Sequence, residues 1–263
     1  ARMTTPIFKA ADIPPSSVAL YIVNDSSLNA FVAGGNNMFL HTGLLVELDT
    51  PDQVIGVIAH ETGHLAGGHQ ARRNLALRGA QGPALIGLVA GLLAGVAAGS
   101  PEAAAALSAG SQGALTRSFL RYNRGEEAAA VQAAMRYLER SGTDPRGLLE
   151  VLERFRGQEV FSAGNMDPYA LTHPLSTERM SLVERKVTES KVTSREDPEL
   201  DYRFQRMQAK LRGFLGSPRR VLNDLANMPE DEPTLYARAV AYHRLPAPQD
   251  ALAEMDRLLA KRP

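Results

Sequence analysis

Five consecutive residues, His60-Glu61-Thr62-Gly63-His64, constrain this chain more than any other feature. They have the form H-E-x-x-H, and the run before them, Asp52 to Ala59, carries Val54, Ile55, Val57 and Ile58 as an apolar helix face. Side chains four apart on a helix stand on one face, about 40° apart. His60 and His64 can therefore aim two imidazoles at one metal ion. Glu61 stands one step round the helix, where its carboxylate reaches a water activated by that ion and can act as general base. The fold must supply a helix here, and a further ligand from elsewhere.

Composition narrows the ligand chemistry. There is no Cys in the 263 residues, so thiolate ligands and disulfides are excluded and any metal must be held by His, Asp or Glu. The formal net charge is zero, and no basic footprint points to nucleic acid. The apolar fraction of 44% supports a large core. The length allows one large domain, or one with a small module beside it. No signal peptide opens the chain, which reads as a processed or trimmed form.

Strand patterns run from Val18 to Val23, Ala30 to Ala33 and Met38 to His41, separated by a turn-rich stretch and by Gly34-Gly35-Asn36-Asn37. They predict a small antiparallel sheet. Asp49 or Thr50 caps the motif helix, Pro51 takes its first position, and the pattern carries it to about Arg78. Between Gly79 and Pro101 there is no charge, and Gly87, Gly91, Gly95 and Gly99 form one smooth stripe. Its apolar part, 84–98, would be about 22 Å long as a helix, against about 30 Å of bilayer hydrocarbon. It reads as a tightly packed or mobile helical hairpin over the site with a membrane-surface contact, not a span. Ala114 to Arg140 reads as a long helix stopped at Ser141-Gly142, and Pro145 opens the next. Phe161 to Thr177 reads as a loop and Thr177 to Thr193 as a helix. The charged stretch 195–198 divides a 1–196 domain from a helical 197–263 tail. In that tail Pro229 and Pro263 stand one tetratricopeptide period apart, and Leu235, Ala239, Tyr242, Ala251, Met255 and Leu258 fall on packing positions. The repeat array looks truncated at Pro263.

A catalytic zinc needs three protein ligands. A metzincin would place a third His at position 70, which is Gln70, so that arrangement fails. A distant Glu is the other solution. Glu126 and Glu127 both offer one, and being adjacent they point about 100° apart, so that one faces the metal. His69 falls about 140° off the ligand face and reads as a residue that supports a ligand from behind or as a structural one. His41 and His243 read as structural or surface residues.

Further motifs follow in order: Asn29-Ala30-Phe31, Thr42-Gly43-Leu44-Leu45, H-E-x-x-H with His69, Arg124-Gly125-Glu126-Glu127, Ser141-Gly142 and His173-Pro174 with Arg179. From Pro6 to Arg179 this set resembles the gluzincin metallopeptidases that include the CAAX prenyl endopeptidase, the membrane protease HtpX and the periplasmic β-barrel-assembly-enhancing proteases. The tail resembles the last of these. The resemblance implies an α+β, mainly helical zincin core followed by the tetratricopeptide-like tail. It also implies one Zn2+ per chain on His60, His64 and Glu127, and a peptidase with Glu61 as base. His173 would stabilise the oxyanion or close the fourth metal position. Arg179 would pair with substrate carbonyls or brace the site through carboxylates. Substrates would be unfolded or misassembled polypeptides in the bacterial periplasm, with outer-membrane proteins and their assembly machinery as partners. A peptide could add as a strand beside Met38–His41. One landmark departs: the E-x-x-x-D pattern that begins at Glu127 ends on Val131, where the resemblance implies an Asp orienting a ligand histidine. That departure supports a rival, a chaperone or scaffold with an impaired metal site acting through the tail.

Overall fold

The computed structural model describes residues 2–69, 124–156, 173, 176–193 and 197–261. The uncharged segment 79–101 with its glycine stripe and expected membrane contact, the first part of the helix expected from Ala114, most of the loop expected after Phe161, and the stretch 194–196 lie outside the described residues.

The architecture is α+β and mainly helical, with a three-stranded sheet. Helix α1 (Thr5–Ala10) buries Ile7 and Phe8. Strands β1 (Ala19–Val23), β2 (Ala30–Ala33) and β3 (Asn37–His41) assemble in the order β1-β3-β2. The β2–β3 pair is the expected antiparallel hairpin, but β1 pairs with β3 in parallel, so the sheet is mixed. The cause lies in residues 24–29, which cross the end of β3 instead of folding β1 back on β2. Asp25 fixes that crossing: its N–H donates to Thr42 Oγ1 at 3.2 Å, and its carbonyl accepts from Thr42 Oγ1 and Gly43 N, each at 2.9 Å. Being central, β3 has no free edge, which overturns the expected strand addition beside Met38–His41.

After α2 (Thr42–Glu47) comes the motif helix α3 (Pro51–Ala66). Its cap is Thr50, whose side chain accepts from Gln53 N, with Pro51 in the first turn. Val54, Val57 and Ile58 are fully buried, so the helix is locked into the core along the face that precedes the motif. It ends at Ala66, well short of Arg78. Gly68 takes φ +62° and donates to Leu65 O, while Gly67 donates to Gly63 O. A glycine in the left-handed region is a strong helix stop, and here it overrides the continuing helical pattern.

Residues 124–141 are helical (α4) and end where expected, with Thr143 N donating to Leu138 O. This helix approaches α3 closely at Gly63, where a Cβ would stand 2.6 Å from Ala130 O. Only glycine permits that approach, which sets Glu127 one turn away from the contact. Helix α5 (Arg146–Phe155) buries Leu148, Val151, Leu152 and Phe155, and packs along α3. Helix α6 (Thr177–Glu189), capped by Ser176, buries Arg179, Met180 and Val183.

The tail comprises α7 (Pro198–Leu215), α8 (Pro218–Asp224), α9 (Glu232–His243) and α10 (Pro248–Ala260). Helix α7 joins the preceding core: Phe204 is buried in it, and Gln208 Nε2 donates to Leu48 O at 2.7 Å and Leu45 O at 3.1 Å at the end of α2. In α9 and α10, Leu235, Ala239 and Ala251 are buried, while Tyr242, Met255 and Leu258 are half-buried. Arg238 bonds Glu254 across the pair at 2.5 Å. Among the described residues, no helix is long and apolar enough to cross a membrane.

Candidate metal centre

Three helices and one loop residue converge. Helix α3 contributes His60, Glu61 and His64, α4 contributes Glu127, and α6 contributes Arg179. His173 arrives three residues ahead of the α6 cap. All six side chains are buried. The convergence follows from the packing already described, because the Gly63–Ala130 contact draws α4 across the histidine face of α3.

His60 Nε2 and His64 Nε2 lie 3.1 Å apart. Glu127 places Oε2 3.3 Å from His60 Nε2 and Oε1 3.2 Å from His64 Nε2. His173 Nδ1 is 3.2 Å from His60 Nε2 and 3.0 Å from Glu127 Oε1. A tetrahedral ion with bonds of about 2.0–2.1 Å holds its donors about 3.3–3.4 Å apart. Four buried donors at nearly that spacing, three neutral-capable imidazoles and one carboxylate, fit zinc. Glu126 is buried as well but is not among the four.

The electrostatics agree with ligand duty. Burial, reinforced by the neighbouring histidines, pushes His60 down to about 3, so that near neutral pH it has a lone pair to give. Burial also opposes charge on Glu127 more than any one neighbour favours it. His173, His60 and His64 together outweigh that opposition and hold the carboxyl below the usual carboxylate range. Arg179 adds a bond from Nη1 to Glu127 Oε2 at 2.9 Å, and its Nη2 donates to His173 O at 2.9 Å. One guanidinium therefore braces both the carboxylate and the backbone that presents His173. Glu61 approaches the group through His173, whose Nε2 is 3.4 Å from Glu61 Oε1.

The backbone after α3 differs from the sequence reading. His69, which an unbroken helix would carry away from the ligand face, is folded back by the Gly67-Gly68 turn. Its Nδ1 lies 2.8 Å from His64 Nδ1. The stop signal was present in the glycine pair. Val131 is fully buried in the apolar core and offers no acceptor. His41 takes no part in the centre. It meets Ser27 Oγ at 2.9 Å in the crossing loop.

Residues 1–187 match the model of peptidase family M48. The chain is 25% identical to a β-barrel assembly-enhancing protease of Yersinia pestis, over 92% of its own length and 50% of that protein's. It is 26% identical to the β-barrel assembly-enhancing protease of Escherichia coli K12, with the same coverage of each chain. A putative β-barrel assembly-enhancing protease of Vibrio cholerae is 29% identical over 71% of this chain and 38% of that protein. The chain spans about half the length of the curated relatives it matches.

Proposed function

We propose a function from one premise: the chain belongs to peptidase family M48. It is a zinc-dependent endopeptidase of the bacterial periplasm that cleaves unfolded or misassembled polypeptides, with outer-membrane proteins and their assembly machinery as partners. The similarity to β-barrel assembly-enhancing proteases supports that setting. The 1–196 unit carries the chemistry, and the tetratricopeptide-like 197–263 tail serves recognition. The packing of α7 on α2 ties the two together.

His60, His64 and Glu127 hold the metal, and the four-donor spacing is the observation that carries the reading. Zinc, when bound, polarises a peptide carbonyl and makes water acidic enough to attack near neutral pH. Glu61 takes the proton of the attacking water and passes it to the leaving amine. A carboxylate in that place beside two ligand histidines is what a general base requires.

His173 decides the resting state. Its Nδ1 sits at the fourth corner of the donor group, and its ring reaches Glu61. In this position it occupies the space that water and substrate require. The described arrangement is therefore a closed form, and turnover requires His173 to leave. Arg179 opposes that departure through its bond to His173 O, while its second bond keeps Glu127 in place.

The test is casein cleavage by a His173→Ala variant. The expected result is a rate above that of the parent, with zinc content unchanged. A lower rate would make His173 an oxyanion donor instead of a blocking ligand. An unchanged rate would reduce it to a loop residue.

A further inference from the structure

We infer that His69 is a positioning residue that fixes the orientation and tautomer of the metal ligand His64, an inference that rests on the zinc-peptidase reading above. His64 turns Nε2 toward His60 and Glu127, so the nitrogen left for outside contact is Nδ1. That nitrogen lies 2.8 Å from His69 Nδ1, with the two rings edge-on at 80° and 4.9 Å between centroids. For Nε2 of His64 to give its lone pair to a metal, Nδ1 must carry the proton. His64 Nδ1–H then donates and His69 Nδ1 accepts, which places the proton of His69 on Nε2. Each nitrogen at this contact has one role.

The surrounding backbone is shaped to hold that contact. His69 is buried, 3% exposed, because the left-handed Gly68 reverses the chain directly after α3. Its ring lies against the last turn of the helix. A Cβ on Gly67 would stand 2.4 Å from His69 Nε2, so the residue next to the turn has to be small. A ligand histidine ordinarily donates its second N–H to a carboxylate, carbonyl or water, and loss of that partner costs about 10–100-fold in metal affinity or activity. An imidazole takes that place for His64 here. It is a neutral acceptor, which orients the ring without adding a further negative charge beside Glu127. The position where the resemblance implied an Asp for such work, Val131, can accept nothing.

Zinc affinity, measured by competition against a chelator of known strength, tests this in the full chain with His69→Ala and His69→Asn. The amide of Asn can present an acceptor near the place of the lost Nδ1. The expected result is affinity lowered about 10–100-fold in His69→Ala and recovered to within a few-fold in His69→Asn, with the metal-free melting temperature of both close to the parent's. Should His69→Ala fail to fold, His69→Asn decides alone: near-parent affinity supports the assignment and a full loss overturns it. Parent-like affinity in His69→Ala overturns it too, as does a loss that Asn does not recover. A parent chain that binds no zinc would instead overturn the zinc reading itself, and the inference with it.

Discussion

Glu61→Gln is expected to lower peptide cleavage by about 10²–10⁴-fold, the usual contribution of a positioned general base. The substitution keeps the size of the side chain and removes its ability to accept a proton. Glu61 is not one of the four clustered donors, so zinc content and melting temperature should stay at parent levels. The comparison is best made in the His173→Ala background, where the closed form no longer limits the rate. Cleavage of casein and zinc content, measured on the same preparations, check it. If activity persisted, the base would lie elsewhere. If zinc were lost together with activity, Glu61 would be part of the metal's support. The scaffold reading predicts no cleavage in either background.

Glu127→Gln is expected to have the second large effect, on both metal and stability. Glu127 is the hub of the centre, within 3.3 Å of His60, His64, His173 and Arg179. Arg179 is 4% exposed, so removing the carboxylate charge leaves a buried cation without its counter-charge. Breaking a buried pair in this way typically costs about 3–5 kcal/mol. Loss of metal adds a separate term: a ligand present at 1,000 times its dissociation constant stabilises by about 4 kcal/mol. Chelator alone should reproduce the second term and not the first. Thermal melts of parent, chelated parent and variant separate them, with the variant melting lowest. A variant that melts with the chelated parent would show that Arg179 finds another counter-charge. A variant that keeps its zinc would remove Glu127 from the ligand set.

The sequence carried the centre unevenly, and the reasons are physical. His60, Glu61 and His64 are legible because one helix turn fixes their relation, and that relation survives any packing. Glu127 was legible only as one of two adjacent carboxylates. The choice between them depends on how α4 meets α3, and the observed crossing puts Glu127 beside His60 and His64. His173 and Arg179 are far from the motif in the chain and came only through the resemblance. His69 is legible as a support behind the ligands or a structural residue, but its contact with His64 is not, because Gly67-Gly68 break the helical pattern that would set its direction. Two glycines after the last periodic residue stop a helix more firmly than apolar spacing extends it. The strand order is not legible for a related reason. Strands close in sequence ordinarily pair in order, yet the bonds between Asp25 and Thr42-Gly43 send the chain across the end of β3 and put β1 on its far side.

The central claim is that one zinc is held by three imidazoles and one carboxylate in the resting protein. X-ray absorption at the zinc edge, on the metal-loaded full chain and its His173→Ala variant, tests it most directly. Four nitrogen or oxygen neighbours at about 2.0–2.1 Å are expected in the parent, with outer-shell scattering from three imidazoles, and two imidazoles in the variant. Two imidazoles in both proteins would contradict the closed form. A parent that takes up no zinc would contradict the account as a whole.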